Sequence, residues 1–194
     1  YHRSFSRIEH QPSVKEHAVI KAFFIVVAVG IAGLLLYAAS KPDTFTVQRS
    51  TSIKAPADQV HSLINDLHQF NTWNPYNQKD PNVKGFYSGP VSGPGARYGF
   101  EGNKDVGKGS IQITNSTPSQ VAMKLDIIEP FEGHNLVDFT LRPQGDTTEV
   151  TWAMHGPAPF MFKLVGIFMN MDQMIGRDFE IGLSSLKAKA EKIP

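Results

Sequence analysis

Six polar residues in the middle of the chain have side chains suited to acid–base chemistry. A histidine, or a buried carboxylate with a raised pKa, could take a proton from carbon next to a carbonyl, and a tyrosine could donate one. The candidates are Tyr76, Tyr98, Glu101, Asp126, His134 and His155. Asp126 alternates with the apolar residues Leu125 and Ile127, so we expect its carboxylate on the wetted face of a strand.

Other chemical motifs in the sequence are incomplete. Residues 102–109 have the glycine and lysine spacing of a phosphate-binding loop, but Gly109 stands where Ser or Thr would hold magnesium. We therefore expect a β-hairpin there. The seven histidines form neither an HExxH motif nor a compact cluster with carboxylates, and no GxSxG nucleophile motif is present. We expect no metal and no cofactor.

Length and composition narrow the class of protein. The chain has 194 residues, enough for one sizeable domain, and a formal net charge of +1. So small a charge argues against nucleic-acid binding, which needs a concentrated basic face. The chain contains no Cys, which excludes a disulfide framework and a thiol nucleophile.

An uncharged stretch of eighteen residues runs from Ala22 to Ala39 between Lys21 and Lys41. As a helix it would span about 27 Å, close to the thickness of a bilayer core. The sequence predicts a transmembrane helix over residues 22–40, preceded by a flexible polar segment, residues 1–21. A buried core helix and a cleaved signal peptide ending near Ser40 are the alternatives.

The charges around this stretch give a weak indication of orientation. Four Lys or Arg residues precede it, and three follow within the next fifteen residues. The positive-inside rule then favours a cytoplasmic N-terminus, with the C-terminal domain outside the cytoplasm. We predict a single-pass protein of a bacterial inner membrane.

The rest of the chain predicts a strand, short helices, a run of antiparallel strands and a long C-terminal helix. Glycine, proline and asparagine separate six strand candidates between residues 83 and 155. Apolar residues at spacings of three and four predict a helix from Pro159 to Lys192, with a break near Asn170. At its start, residues 160–169 are apolar on nearly every side except at Lys163. That stretch must be covered, line a pocket or touch the bilayer.

Elements in this order can share one core if a bent antiparallel sheet wraps around the last helix. Such an arrangement leaves a cavity between the sheet and the helix, mostly apolar with a few polar groups, as a small-molecule site requires. We therefore predict an α+β fold with a bent antiparallel sheet of about seven strands, preceded by one transmembrane helix.

Several short segments carry a resemblance to a known family. They are residues 70–76 (FNTWNPY), 87–90 (YSGP), 107–109 (GKG), 150–156 (VTWAMHG) and 179–187 (FEIGLSSLK). With the order of elements, they resemble the START-like SRPBCC superfamily, and within it the polyketide cyclase/dehydrase-like branch. The resemblance covers residues 43–192 and implies a helix-grip fold with a hydrophobic cavity. It implies little about chemistry, because the superfamily includes lipid carriers, receptors, cyclases and co-chaperone-like domains.

In a helix-grip fold, the candidates for the cavity wall are aromatic, apolar and polar residues of the sheet and the last helix. They are Trp73, Tyr76, Tyr98, Phe100, Glu101, His134, Trp152, Met154, Phe168, Met171 and Ile175.

Three functions fit the sequence. The first is a membrane-anchored domain that binds a lipid or another hydrophobic small molecule in an internal cavity. The second is an enzyme like a polyketide cyclase or dehydratase, which would need a polar pair around one point of the cavity. The third is an interaction module for another envelope protein, without a ligand, which would need a large exposed apolar patch. The sequence identifies neither a ligand nor a protein partner.

Overall fold

The computed structural model describes residues 14–193, and the chain divides into two units between Lys41 and Pro42. The first unit is helix α1, Val14–Ala39, which begins well before Ala22. By length and composition, its segment Ala18–Ala39 could cross a membrane or serve as a signal sequence. Large apolar side chains along it, such as Phe24 and Leu36, are exposed, which does not fit a buried core helix. The predicted flexible segment falls largely on residues 1–13, outside the described residues.

The second unit contains seven strands and five helices in the described chain. The strands form one antiparallel sheet in the order β1-β7-β6-β5-β4-β3-β2. This arrangement confirms the predicted α+β fold with a seven-stranded sheet and a C-terminal helix. The elements are β1 (Thr44–Ile53), α2 (Ala57–Asn65), α3 (Leu67–Phe70), α4 (Pro75–Lys79), β2 (Lys84–Ser88), β3 (Arg97–Glu101), β4 (Lys108–Thr117), β5 (Gln120–Glu129), β6 (Gly133–Gln144), β7 (Thr147–Pro157), α5 (Phe160–Phe168) and α6 (Met171–Ala190).

Helices α3 and α4 begin at residues whose side chains cap the backbone N–H groups of the first turn. Asp66 caps α3, and its carboxylate accepts from the backbone N–H of His68 at 2.8 Å. Asn74 caps α4 in the same way, and Pro75 occupies the first turn, where its missing N–H does no harm.

The predicted break in the C-terminal helix is confirmed. Helix α5 ends before Met169, whose backbone is extended. Asn170 then caps α6, and its side-chain oxygen accepts from the backbone N–H of Gln173 at 3.0 Å. Two helices replace one because an asparagine cap favours a new start over continuation.

Helix α6 is attached to strand β1 by a charged contact. The guanidinium of Arg49 reaches Asp172 at 3.0 Å and Glu180 at 2.9 Å. These carboxylates raise the pKa of Arg49 still further and keep the side chain charged. On its buried side, α6 contributes Phe179, Leu183 and Leu186 to the core.

Strand alternation sorts the sheet residues into two faces, as the sequence predicts. Val121 and Met123 of β5 are buried, while Lys124, the residue after Met123, is exposed. On β7, Val150, Trp152 and Met154 are buried in the same alternating way. One face of the sheet therefore meets the helices.

Candidate functional site

A cavity of about 230 Å³ lies between the inner face of the sheet and helices α4 and α6. Most of its wall is apolar: Phe70, Phe100, Val106, Ile111, Leu125, Ile127, Val137, Trp152, Met154 and Phe179. The polar part of the wall consists of three asparagines, two tyrosines and one carboxylate: Asn74, Asn77, Asn135, Tyr76, Tyr98 and Asp105. An apolar enclosure with a few polar groups is typical of a small-molecule site.

The strands supply most of the wall by simple alternation. Leu125 and Ile127 are two residues apart on β5, Asn135 and Val137 on β6, and Trp152 and Met154 on β7. Residues two apart in a strand point to the same face. Each of these three strands thus contributes a pair of side chains to the same cavity.

The indole of Trp152 forms a rigid part of the wall. Its ring stacks on Phe179 of α6, with centroids 4.2 Å apart and planes 7° from parallel. Its Nε1 is buried and has no hydrogen-bond partner among the residues that the structure describes. A buried donor without a partner carries a desolvation penalty.

Two phenols lie on the polar side of the cavity, near α4. The Nδ2 of Asn77 donates to the hydroxyl oxygen of Tyr98 at 3.5 Å. Burial raises the pKa of Tyr98, and burial together with the nearby Asp178 raises the pKa of Tyr76. Both phenols are therefore neutral at physiological pH and serve as hydrogen-bonding groups rather than bases.

The loop between β3 and β4 brings Asp105 and Val106 to the cavity. Asp80, a buried carboxylate at the end of α4, accepts from the backbone N–H groups of Asn103 at 2.7 Å and Asn82 at 2.9 Å. The side-chain oxygen of Asn103 in turn accepts from the N–H of Asp105 at 2.9 Å. These bonds fix the position of the loop against α4.

The wall is nearly free of charge. Asp105 is its one charged side chain within the described part of the chain, and this residue is exposed. An anionic ligand would find no cation in the wall to pair with, and burying an unpaired charge is unfavourable. The wall therefore disfavours an anionic ligand.

Five of the eleven residues proposed from the sequence line this cavity, and six lie elsewhere. The five are Tyr76, Tyr98, Phe100, Trp152 and Met154, and the six are Trp73, Glu101, His134, Phe168, Met171 and Ile175.

Glu101 and His134 lie on the outer face of the sheet. Glu101 follows the inward-facing Phe100 and approaches Lys108 at 3.4 Å. The Nδ1 of His134 lies 2.6 Å from the carboxylate of Asp126, its cross-strand partner. The alternation that predicts an outward Asp126 also places His134 outward, because directly paired residues share a face.

The other four residues are placed by helix packing. Trp73 is fully buried in the core, where its Nε1 donates to the carbonyl of Leu63 at 2.9 Å. Phe168, at the end of α5, is 72% exposed. Met171 begins α6, and Ile175 packs against the core without bordering the cavity.

The asparagines of the wall are not among the residues proposed from the sequence. Asn135 is two residues from the buried Val137 on β6 and so shares its face, which means that strand parity could have found it. Asn74 and Asn77 give no such signal, because they come from a short helix whose position depends on tertiary packing. Among the side chains described, those of residues 18–193, no three His, Asp or Glu come together in a way that could hold a metal ion.

Comparison with known families identifies the domain. Residues 44–191 match the family described as polyketide cyclase / dehydrase and lipid transport. The chain belongs to this family. The match covers every strand of the sheet and all of α6, and the fold is the helix-grip fold of the SRPBCC proteins.

Solved structures show the same fold at low sequence identity. Ginseng major latex-like protein 151 from Panax ginseng is 13% identical, with a TM-score of 0.56 over 79% of this chain and 100% of that one. Protein MLL2253 from Mesorhizobium loti is 14% identical, with a TM-score of 0.57 over 77% and 99%. The Aha1 dimer from Colwellia psychrerythraea is 18% identical, with a TM-score of 0.52 over 76% and 97%. A search of curated proteins gives no match.

Proposed function

We propose that the domain binds an uncharged lipid or another hydrophobic small molecule in the cavity, and that α1 anchors it to a membrane. The observation that carries the proposal is the cavity itself, with its mostly apolar wall and its lack of a cationic partner for an anionic ligand. The family, whose description includes lipid transport, supports the same class of ligand.

The dimensions of the cavity limit the ligand further. Its volume of about 230 Å³ is below the roughly 300–1,000 Å³ of pockets that enclose drug-sized molecules. A compact ring system or part of a single acyl or isoprenoid chain fits this space, whereas a whole two-chain lipid does not.

The anchor is proposed from the length and composition of Ala18–Ala39. We also propose that this helix makes a single pass through a bacterial inner membrane, and the balance of flanking charges favours a domain outside the cytoplasm. A reporter fused after Pro194, active on only one side of the membrane, tests this orientation. Activity on the cytoplasmic side would contradict it.

Native mass spectrometry of the full chain, released from detergent micelles, tests the ligand. We expect an adduct with the mass of a small apolar molecule. Ile127→Phe adds bulk to a side chain of the cavity wall and should remove most of the adduct. Ile128→Phe makes the same change at the next residue, which is 60% exposed, and should leave the adduct unchanged.

Two outcomes would contradict the binding proposal. One is a chain that carries no adduct and yields no small molecule on extraction with organic solvent. The other is an adduct that both variants retain equally, because such a molecule would lie outside the cavity.

The family description also names cyclases and dehydrases, so an enzymatic role is the alternative. It would have to use the asparagines, the tyrosines and Asp105 of the wall, since Glu101, Asp126, His134 and His155 do not border the cavity. Conversion of the extracted ligand by the full chain, lost in Tyr98→Phe, would favour that alternative. The third possibility, an envelope interaction module, would require a protein partner recovered by crosslinking in cells.

A further inference from the structure

Helix α5 presents an exposed apolar surface to solvent. Met161, Val165 and Phe168 follow one another at helical spacing, with exposed fractions of 59%, 40% and 72%. Phe160 and Met169 extend this surface at the two ends. We call these five residues the α5 face.

The opposite side of α5 is fixed to strand β1. Phe162 stacks on Phe45, with ring centroids 4.9 Å apart. Lys163, the one charged residue of the helix, is turned to this side: its side chain is 8% exposed and pairs with Asp43. The α5 face is therefore left without any charge, although it is the side open to solvent.

A short covalent link joins α1 to the residues that contact α5. Asp43, the partner of Lys163, also accepts from the backbone N–H of Ala158 at 2.7 Å through its carbonyl. Only three residues lie between Ala39, the last residue of α1, and Asp43, which is therefore four residue steps away. At about 3.5 Å per extended residue, this link is at most roughly 14 Å long.

A second exposed apolar element lies at the same end of the sheet. Thr44 at the start of β1 pairs with Pro157 at the end of β7, and the antiparallel register puts the β5–β6 turn at that end too. In this turn Phe131 is 79% exposed. Ile127 and Asn135, which flank the turn, border the cavity.

We propose that the α5 face and Phe131 rest in the interfacial layer of the bilayer that α1 crosses. This proposal depends on the membrane anchor proposed above. Apolar side chains on a helix that lies flat on a membrane sit about 5–10 Å into the boundary between headgroups and acyl chains. The cavity residues at that end would then border the layer from which an apolar ligand enters.

The charges around this end predict the kind of lipid contact. Lys104 is exposed there, and so are Glu129 and Glu132. With charges of both signs, the surface has no excess of cations to attract anionic headgroups. We therefore expect burial of apolar area to drive the contact, which should occur on zwitterionic lipid and persist at high salt.

The test uses the full chain reconstituted into phosphatidylcholine vesicles. Because the chain has no Cys, single substitutions give one labelling site each for an environment-sensitive fluorophore. The label at Phe168→Cys reports on the α5 face, and the label at Val29→Cys reports on α1. Val91→Cys is the matched control, because this apolar residue is 67% exposed at the opposite end of the sheet, between β2 and β3.

Vesicles with doxyl-labelled phosphatidylcholine should quench the labels at Val29→Cys and Phe168→Cys several-fold more strongly than the label at Val91→Cys. The quenching should not change with salt. Phe131→Cys should behave like Phe168→Cys. Thermal melting followed by tryptophan fluorescence verifies that each labelled variant is folded.

Each contrary result has a distinct meaning. Quenching at Val29→Cys without quenching at Phe168→Cys would overturn this proposal and leave the anchor in place. No quenching at Val29→Cys would overturn the anchor and this proposal together. The label at Phe168→Cys could instead be blue-shifted but unquenched, with a shift that depends on the protein-to-lipid ratio. That result would mean that a second copy covers the α5 face, and it would also overturn the proposal.

Discussion

Gly182, in the middle of α6, offers a sharp test of how the helix is seated against the cavity wall. A Cβ atom at this position would lie 2.7 Å from Cζ3 of Trp152 and 2.9 Å from Cδ of Pro75. Neither ring can move easily, because Trp152 is stacked on Phe179 and Pro75 is buried in the first turn of α4. We therefore expect Gly182→Ala to destabilise the domain.

The magnitude follows from two opposing effects. Replacing glycine by alanine within a helix is favourable by about 1 kcal/mol. Forcing an extra methyl group into a filled space typically costs about 1–3 kcal/mol, and two contacts below 3.0 Å with rigid rings favour the upper part of that range. The net loss should be about 1–2 kcal/mol, which lowers Tm by roughly 3–6 °C in a domain of this size.

Thermal unfolding followed by tryptophan fluorescence measures this effect in the full chain. The protein has two tryptophans, Trp73 and Trp152, and both are buried in the domain, so the signal reports on its unfolding. Gly166→Ala is the matched control: its Cβ would meet only Cγ of Met171, at 3.9 Å, so this variant should be slightly stabilised. A Gly182→Ala variant as stable as the control would refute the packing argument.

Two further predictions concern the polar groups around the cavity. Asp80→Ala removes the acceptor of two backbone N–H groups, which should lower the free energy of unfolding by about 1–3 kcal/mol. It should also speed hydrogen exchange in residues 102–107, and Asp80→Asn should have a smaller effect on both. Equal exchange in both variants and the parent would contradict this role. Burial raises the pKa of Tyr76 and Tyr98 above 10.0, so these phenols ionise at lower pH in the unfolded chain than in the folded one. Their contribution to the free energy of unfolding is therefore complete below pH 10 and is lost as pH rises through the folded-state pKa values. Replacing both by Phe should flatten the loss of stability measured above pH 10, and an unchanged slope would show that neither phenol is buried in solution.

The order and type of the elements could be predicted because each strand carries its own local signal. Strand β5 runs from Gln120 to Glu129, and the sequence signals it because Val121, Met123, Leu125 and Ile127 recur at every second position. The break in the C-terminal helix was predictable for a similar reason, because Asn170 is a good cap wherever it occurs.

The cavity wall was predictable only in part, because alternation tells which face a residue is on but not whether its neighbours fill the space beside it. Trp73 and Trp152 are both buried aromatics, yet only Trp152 borders the void. Asp105 reaches the wall because Asp80 and Asn103 hold its loop, an arrangement made by residues distant in sequence. Such positions depend on the whole packing and leave no local pattern.

The register of the sheet also has a consequence for biosynthesis. Strand β1 is the first strand to leave the ribosome, and its hydrogen-bonding partner β7 is the last, about one hundred residues later. Until β7 is made, β1 has no strand to pair with, and nascent chains with unpaired strands are prone to associate with one another. A chain stalled before residue 147 should therefore need chaperone protection that the finished domain does not.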